Sequence, residues 1–154
     1  MTLTFRKAVA SEREDAQRIL WTAFTTYVRN LGREITADHY AFLAAAIERG
    51  DVYFAIEGAE VVGVAATERR DGGLYIDRLG VAPSRQGSGL GGFMLARIEE
   101  IARSSGLTGL TLETAEMAEG NIRLYRRHGF EIVGRGPPAH GKDPHMRVYM
   151  AQVF

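Results

Sequence analysis

The chain has 154 residues, 45% of them hydrophobic, with 19 Lys plus Arg against 19 Asp plus Glu, a formal net charge of zero and no cysteine. That composition suits one packed domain, residues 1–154, large enough to bury a core, and the missing cysteine removes disulfides, thiolate nucleophiles and cysteine-based metal sites together. Zero net charge gives no bulk pull towards nucleic acid, no run approaches the ~20 apolar residues that span a bilayer, and the first residues, with Arg6 and Lys7, lack the apolar core of a signal peptide; the expectation is a soluble, cytoplasmic protein with no nucleic-acid or membrane partner.

In chain order, Thr2 to Val9 reads as a first strand. Ser11 and Glu14 have capping-box spacing, and Ala16, Ile19, Leu20, Ala23, Phe24, Tyr27, Val28 and Leu31 then repeat at helical spacing up to Gly32. Thr36 or Asp38 caps a second helix, with Tyr40, Leu43, Ala44 and Ile47 inward and Gly50 at its end. Val52–Ile56 and Val61–Thr67 are strands about the hairpin turn 57–60, and Asp71-Gly72-Gly73 turns into a further strand carrying Tyr75, Ile76, Leu79 and Val81.

Pro83 ends that strand, since it has no N–H to donate. Gly87, Gly89, Gly91 and Gly92 then open a helix whose apolar face is Leu90, Phe93, Met94, Ile98 and Ile101, with Gly106 as its C-cap. Leu110, Leu112 and Thr114 alternate with Thr111 and Glu113 in a fifth strand; a helix around Tyr125 and strands near 130–133 and 147–153 complete the chain. Residues 134–144 hold three of the four prolines and read as a loop.

A glycine-rich turn into a helix bares several N–H groups at a positive dipole end, which suits an anion, and glycine lets a phosphate approach the backbone. Gly87-x-Gly89-x-x-Gly92 satisfies a dinucleotide pattern, with Glu113 near the place of a ribose-binding acid. Against it, Ala82 to Gln86 separate the glycines from the strand, the loop lies mid-chain, and the rest is short for a doubly wound sheet. The bland alternative for these glycines is close helix–sheet packing.

The pattern Gln86-x-x-Gly89-x-Gly91, after a strand ending Val81-x-Pro83, resembles the pyrophosphate motif of the GNAT superfamily of N-acetyltransferases. Downstream, Asn121-Ile-Arg-Leu-Tyr125-Arg-Arg-His-Gly129-Phe130 resembles the family's next motif, a helix with a tyrosine four residues before Gly-Phe. The resemblance is specific over about residues 74–130. Before that it rests on element order alone, β-α-α-β-β-β-α-β-α-β-β, an α/β mixed sheet splayed at its centre.

The resemblance implies acetyl transfer from acetyl-CoA, a co-substrate, to an amine in a ternary complex, without a metal. Backbone groups of Leu79 and Val81 then bond the pantetheine arm as an added strand would, and the segment Gln86, Gly87, Ser88, Gly89, Leu90, Gly91 and Gly92 holds the pyrophosphate. The family helix begins with an asparagine seven residues before the tyrosine, where this chain has Ala118; Asn121 either takes over its pantetheine contact or caps the helix.

A lysine-like amine has pKa ~10.4, so roughly one in a thousand is neutral near pH 7.4, and a base is expected. Tyr125 occupies the family's general-acid position, although a buried tyrosine at helical spacing also reads as core. Glu113 stands before Tyr125 by the interval seen in ribosomal-protein N-terminal acetyltransferases, where a fifth-strand glutamate is the base. Asp77, four residues before Val81, is the second candidate and shares a face with Leu79 unless a bulge intervenes; a solvated or paired carboxylate is the alternative for each.

Tyr27, Arg29 and Arg33 fall where the family's variable substrate loop lies, and the two cations suit either an acidic acceptor group or a solvated helix end. His140, Asp143 and His145 match no tight metal motif and read as polar loop residues, lining the substrate mouth. The implied acceptor is a small-molecule or peptide amine, with a homodimer a permitted assembly. The rival readings are a protein N-terminal or lysine acetyltransferase and a regulatory acyl-CoA binder without turnover.

Overall fold

A computed structural model describes residues 2–154. The elements are β1 (Leu3–Lys7), α1 (Arg13–Asn30), α2 (Leu43–Arg49), β2 (Val52–Glu57), β3 (Glu60–Arg70), β4 (Gly73–Val81), α3 (Leu90–Ser104), β5 (Gly109–Ala115), α4 (Glu119–Arg127), β6 (Glu131–Gly136) and β7 (Arg147–Val153). This is the order expected from the sequence. The strands form one mixed sheet, β1-β2-β3-β4-β5-β7-β6, in which β4 and β5 run parallel and the other described neighbours antiparallel.

Two apolar layers sandwich the sheet. On one face α3 lays Leu90, Met94, Leu95, Ile98 and Ala102 over Leu74, Ile76, Leu110 and Leu112. On the other, Ala16, Ile19 and Leu20 of α1 and Leu43, Ala46 and Ile47 of α2 cover Val52, Phe54, Val64 and Ala66. Each fully buried leucine or isoleucine here contributes about 1.5–3 kcal/mol by leaving water. Gly80 brings α1 hard against β4: a Cβ there would stand 3.0 Å from Leu20 and 3.2 Å from Ala23. That close approach carries the far end of α1 over the middle of the sheet.

Four local expectations change. Helix α1 starts at Arg13, after a 3-10 turn, because Glu12 rather than Glu14 turns back: its carboxylate accepts from the Val9 N–H at 2.9 Å and from both terminal nitrogens of Arg6. Ala46 takes the inward place expected of Ala44, which is exposed, since the second helix begins only at Leu43 behind a separate 3-10 turn. Strand β3 runs on to Arg70, pairing with β4 down to the Asp71–Gly72 turn. Strand β6 extends through Gly134 to Gly136, inside the expected loop, because those glycines leave room for the Tyr149 ring of β7.

Among the described residues no helix is long and apolar enough to cross a membrane.

Candidate active site

The parallel pairing of β4 with β5 lasts only three residue pairs, Leu74 with Leu110 to Ile76 with Leu112. Beyond it the strands part. A bulge marks the place: Ile76 pairs with Thr67 of β3 and Arg78 with Ala66, so Asp77 has no partner on β3. An extra residue inverts the alternation beyond it. Leu74 and Ile76 lie in the core beneath α3, and after the bulge it is Leu79 and Val81 that pack towards it. The parity that would have paired Asp77 with Leu79 is therefore broken.

The ladder also decides which backbone groups face the gap. Ala82 N–H bonds the Val62 carbonyl at 2.9 Å, and alternation along an antiparallel pair then assigns Gly80 and Arg78 to β3. Leu79 and Val81 present their N–H and C=O groups to the other side, where β5 has departed. On the opposite lip, the Glu116 N–H bond to Met146 (2.9 Å) assigns Thr114 to β7 and turns Glu113 and Ala115 towards the gap. The Gln86 amide donates to the Val81 carbonyl at 3.2 Å, and the Ala115 N–H is taken by the Tyr27 hydroxyl at 2.9 Å. Tyr27 thus tethers α1 across the opening.

The gap widens into a cleft of about 950 Å³, within the range of small-molecule sites. Its mouth on the β4 side is the glycine-rich segment. Gly87 and Gly89 have φ of +80° and +86°, which L side chains resist, and nothing stands within 4 Å of where a Cβ would project. The first backbone bond of α3 is Phe93 N–H to the Gly89 carbonyl; the N–H groups of Gly87, Gly89, Leu90, Gly91 and Gly92 have no backbone acceptor among the described residues. Five unpaired donors at the start of a 15-residue helix form a cradle for an anion. Ser88 turns away, its hydroxyl donating to the Arg85 carbonyl. Gly91 and Gly92 also admit α4: a Cβ on them would meet Leu124 at 3.3 Å and His128 at 2.8 Å.

Helix α4 sends Tyr125 into the cleft, its ring 5.8 Å from that of Phe130. Desolvation holds the phenol well above its ordinary pKa, with a smaller push from Tyr27. Asn121 is the third residue of α4 and not its cap; its amide points to the Thr114 hydroxyl of β5 at 3.5 Å, on the cleft wall.

Both candidate bases line the cleft, in different states. Asp77 is bonded by Arg78 at 3.0 Å. Glu113 has Arg147 at 3.8 Å, too long for a hydrogen bond, and Tyr75 within reach of its charge. Arg147 is committed elsewhere: its two terminal nitrogens grip Asp143 at 3.1 and 3.0 Å, and one also bonds the His145 carbonyl at 2.8 Å. Asp143 has 1% of its side chain exposed, and the Arg147 bonds hold its carboxyl down to about 2. Arg33 approaches the same carboxylate at 3.5 Å. The loop before β7 is thereby joined to the segment after α1.

Of the expected substrate residues, Tyr27 and Arg33 reach the cleft. Arg29 does not: it is exposed and pairs with Glu34 at 3.4 Å. His140 lines the cleft, while Asp143 and His145 serve the Arg147 anchor. Tyr75, Arg78, His39 and Arg147 also line the cleft. No motif pointed to them, because their place depends on the bulge and on two loops meeting. Among the described residues no group of three or more His, Asp or Glu is placed to hold a metal ion.

Residues 13–130 match the family profile described as the Acetyltransferase (GNAT) family. An IAA acetyltransferase of Azospirillum brasilense is 39% identical over 83 residues, 53% of this chain and 53% of that protein. The chain spans about half the length of the curated relatives it matches. The PaiA N-acetyltransferase of Thermoplasma acidophilum, solved in complex with coenzyme A, superposes with a TM-score of 0.79 at 14% identity over 100% of both chains. Ard1 of Thermoplasma volcanium gives 0.81 at 18% identity, covering 99% of this chain and 98% of its own. These last two likenesses are of fold.

Proposed function

The chain belongs to the GNAT family of acetyltransferases, and on that premise we propose that it transfers an acetyl group from acetyl-CoA to the primary amine of a small molecule or peptide, both bound together in the cleft. The observation that carries this is the parting of β4 from β5 beside five unpaired amides. One edge of the gap offers strand-like backbone groups, and its mouth offers an anion cradle. An extended chain ending in phosphates fits that pair of features, and the open space over Gly87 and Gly89 leaves it room.

Leu79 and Val81 bond the pantetheine arm through their backbones, and Asn121 borders it from α4. The amides from Gly87 to Gly92 hold the pyrophosphate. Acetyl-CoA supplies an activated acetyl thioester. Glu113 takes the proton from the acceptor nitrogen, directly or through water. Its carboxylate oxygens are free of close donors, whereas Asp77 has Arg78 on it. Tyr125 keeps its hydroxyl protonated across the physiological range, since burial raises its pKa, and so holds a proton for the departing thiolate.

The test is a panel of amines incubated with acetyl-CoA, following free thiol. Turnover of at least one acceptor is expected. Tyr125→Phe keeps the ring against Phe130 and removes only the hydroxyl, so kcat should fall by roughly 10–10³-fold with little change in acetyl-CoA affinity. Glu113→Gln should cost ~10²–10⁴-fold and Asp77→Asn far less; the reverse order transfers the role to Asp77. Tight acetyl-CoA binding with no turnover across the panel would make the chain a binder instead.

A further inference from the structure

The segment after α1 and the loop before β7 converge on Arg33 at the cleft wall, and the donors there outnumber the acceptors. His39 Nδ1 accepts the Thr36 N–H at 3.1 Å, and His140 Nδ1 accepts the Lys142 N–H at 2.9 Å. A neutral imidazole carries one proton, so in each ring that proton sits on Nε2. Those two nitrogens both face the Arg33 guanidinium, at 3.2 Å from its Nη2 and 3.4 Å from its Nη1. Donors therefore point at donors. The nearest acceptor is Asp143 Oδ2, 3.5 Å from Arg33 and already bonded by Arg147 at 3.0 Å.

Burial first, and the surrounding cations after it, favour the neutral form of both rings. Burial and then Arg33 hold His39 below its ordinary pKa, with Arg78 and Lys142 acting the same way and Asp38 opposing. Burial, Arg33, Arg147 and Lys142 do the same to His140, opposed by Asp143. Such an arrangement lacks one component, a group that accepts from several N–H donors at once.

We propose that Arg33, His39 and His140 form an oxyanion subsite, which takes a carboxylate or phosphate carried by the acceptor amine. Lys142, also on the cleft wall, adds positive charge. An oxyanion lodged there accepts from both Nε2–H groups and the guanidinium, and turns the mutual repulsion of the donors into a binding preference. The inference rests on the acetyl-transfer reading for its word acceptor; the subsite itself does not need that reading.

Its test begins without acetyl-CoA. The chain has four histidines, and ¹⁵N-histidine labelling reads each one. Propionate and inorganic phosphate are titrated separately into the full chain near pH 7. A saturable shift of His39 and His140 together, with a rise in both their pKa values, is expected for the anion the subsite takes. His128, beside Gly92, reports binding at the glycine cradle instead, and His145 should stay still. Arg33→Gln should abolish the His39 and His140 response; a response that survives it, or none with either anion, overturns the subsite. The second arm compares acetylation of two amines of one skeleton, with and without the oxyanion that bound. A preference in kcat/KM of roughly 10–100-fold, collapsing towards unity in Arg33→Gln, is expected. Equal rates would overturn its use by the acceptor, and no turnover of any amine would remove the acetyl-transfer reading while the first arm still decides the subsite.

Discussion

The two ends of the cleft are built by different means. The cradle at Gly87–Gly92 is built from one continuous segment and uses backbone N–H groups, with no charged side chain required. The opposite wall is built from side chains of two stretches far apart in sequence: Arg33 and His39 after α1, and His140, Asp143 and Arg147 about a hundred residues on. The first depends on conformation, so any residue that spoils φ at Gly87 or Gly89 spoils it. The second depends on charge balance, so it fails when one partner goes and the others stay.

The largest effect expected in this contrast comes from Asp143→Asn. It leaves Arg147, with 6% of its side chain exposed, facing a neutral amide, and should cost about 3–5 kcal/mol of stability. Acetyl-CoA should still stabilise whatever folded variant remains. Loss of the acetyl-CoA response in a folded variant would mean that the two walls are one cooperative unit. The same pair has a pH signature. Asp143 is held at about 2, below its unfolded value of about 3.9, so its contribution is complete above pH ~4 and is lost as pH falls towards 2. Glu12, also held at about 2 by Arg6 and by the Val9 N–H, loses its pair in that window. The measurement is therefore the difference between wild type and variant in acid unfolding. Equal acid limbs would show Asp143 to be unlinked.

Gly89→Val attacks the other end. Its φ of +86° strains a β-branched residue by ~1–2 kcal/mol, which should lower Tm without unfolding the chain. The gain from acetyl-CoA, about 2.7 kcal/mol at 100 times its Kd for wild type, should vanish in a thermal-shift titration. An unchanged response would remove the cradle from the proposed site. The His39 and His140 signals should remain native in this variant.

The smallest change tests the seam. Tyr27→Phe leaves the Ala115 N–H without its acceptor and should cost ~1–2 kcal/mol. If the hydroxyl only ties α1 to β5, kcat with a good acceptor should change less than severalfold. A loss as deep as that of Tyr125→Phe would place Tyr27 beside the reacting atoms.

The element order, the amphipathic faces of α1 and α3, and the glycine cradle were legible in the chain because each is a local pattern: spacing along one helix or strand, or glycine where φ must be positive. The motif around Tyr125 was legible for the same reason. Tertiary structure alone decided the rest. The bulge at Asp77, which undoes the strand's alternation, follows from how β3 and β4 register. Arg29 and Arg33 look alike in sequence, yet one pairs with Glu34 at the surface and the other meets Asp143, because the loop before β7 arrives beside only one of them. That Glu113 keeps no hydrogen bond while Asp77 accepts one from Arg78 rests on Asp143 drawing off Arg147, a contact between β7 and its preceding loop that the spacing of the candidate bases does not encode. Helix periodicity and glycine turns are set by neighbours along the chain, so they can be read from a string. Charge balance is set by neighbours in space, so it has to await the fold.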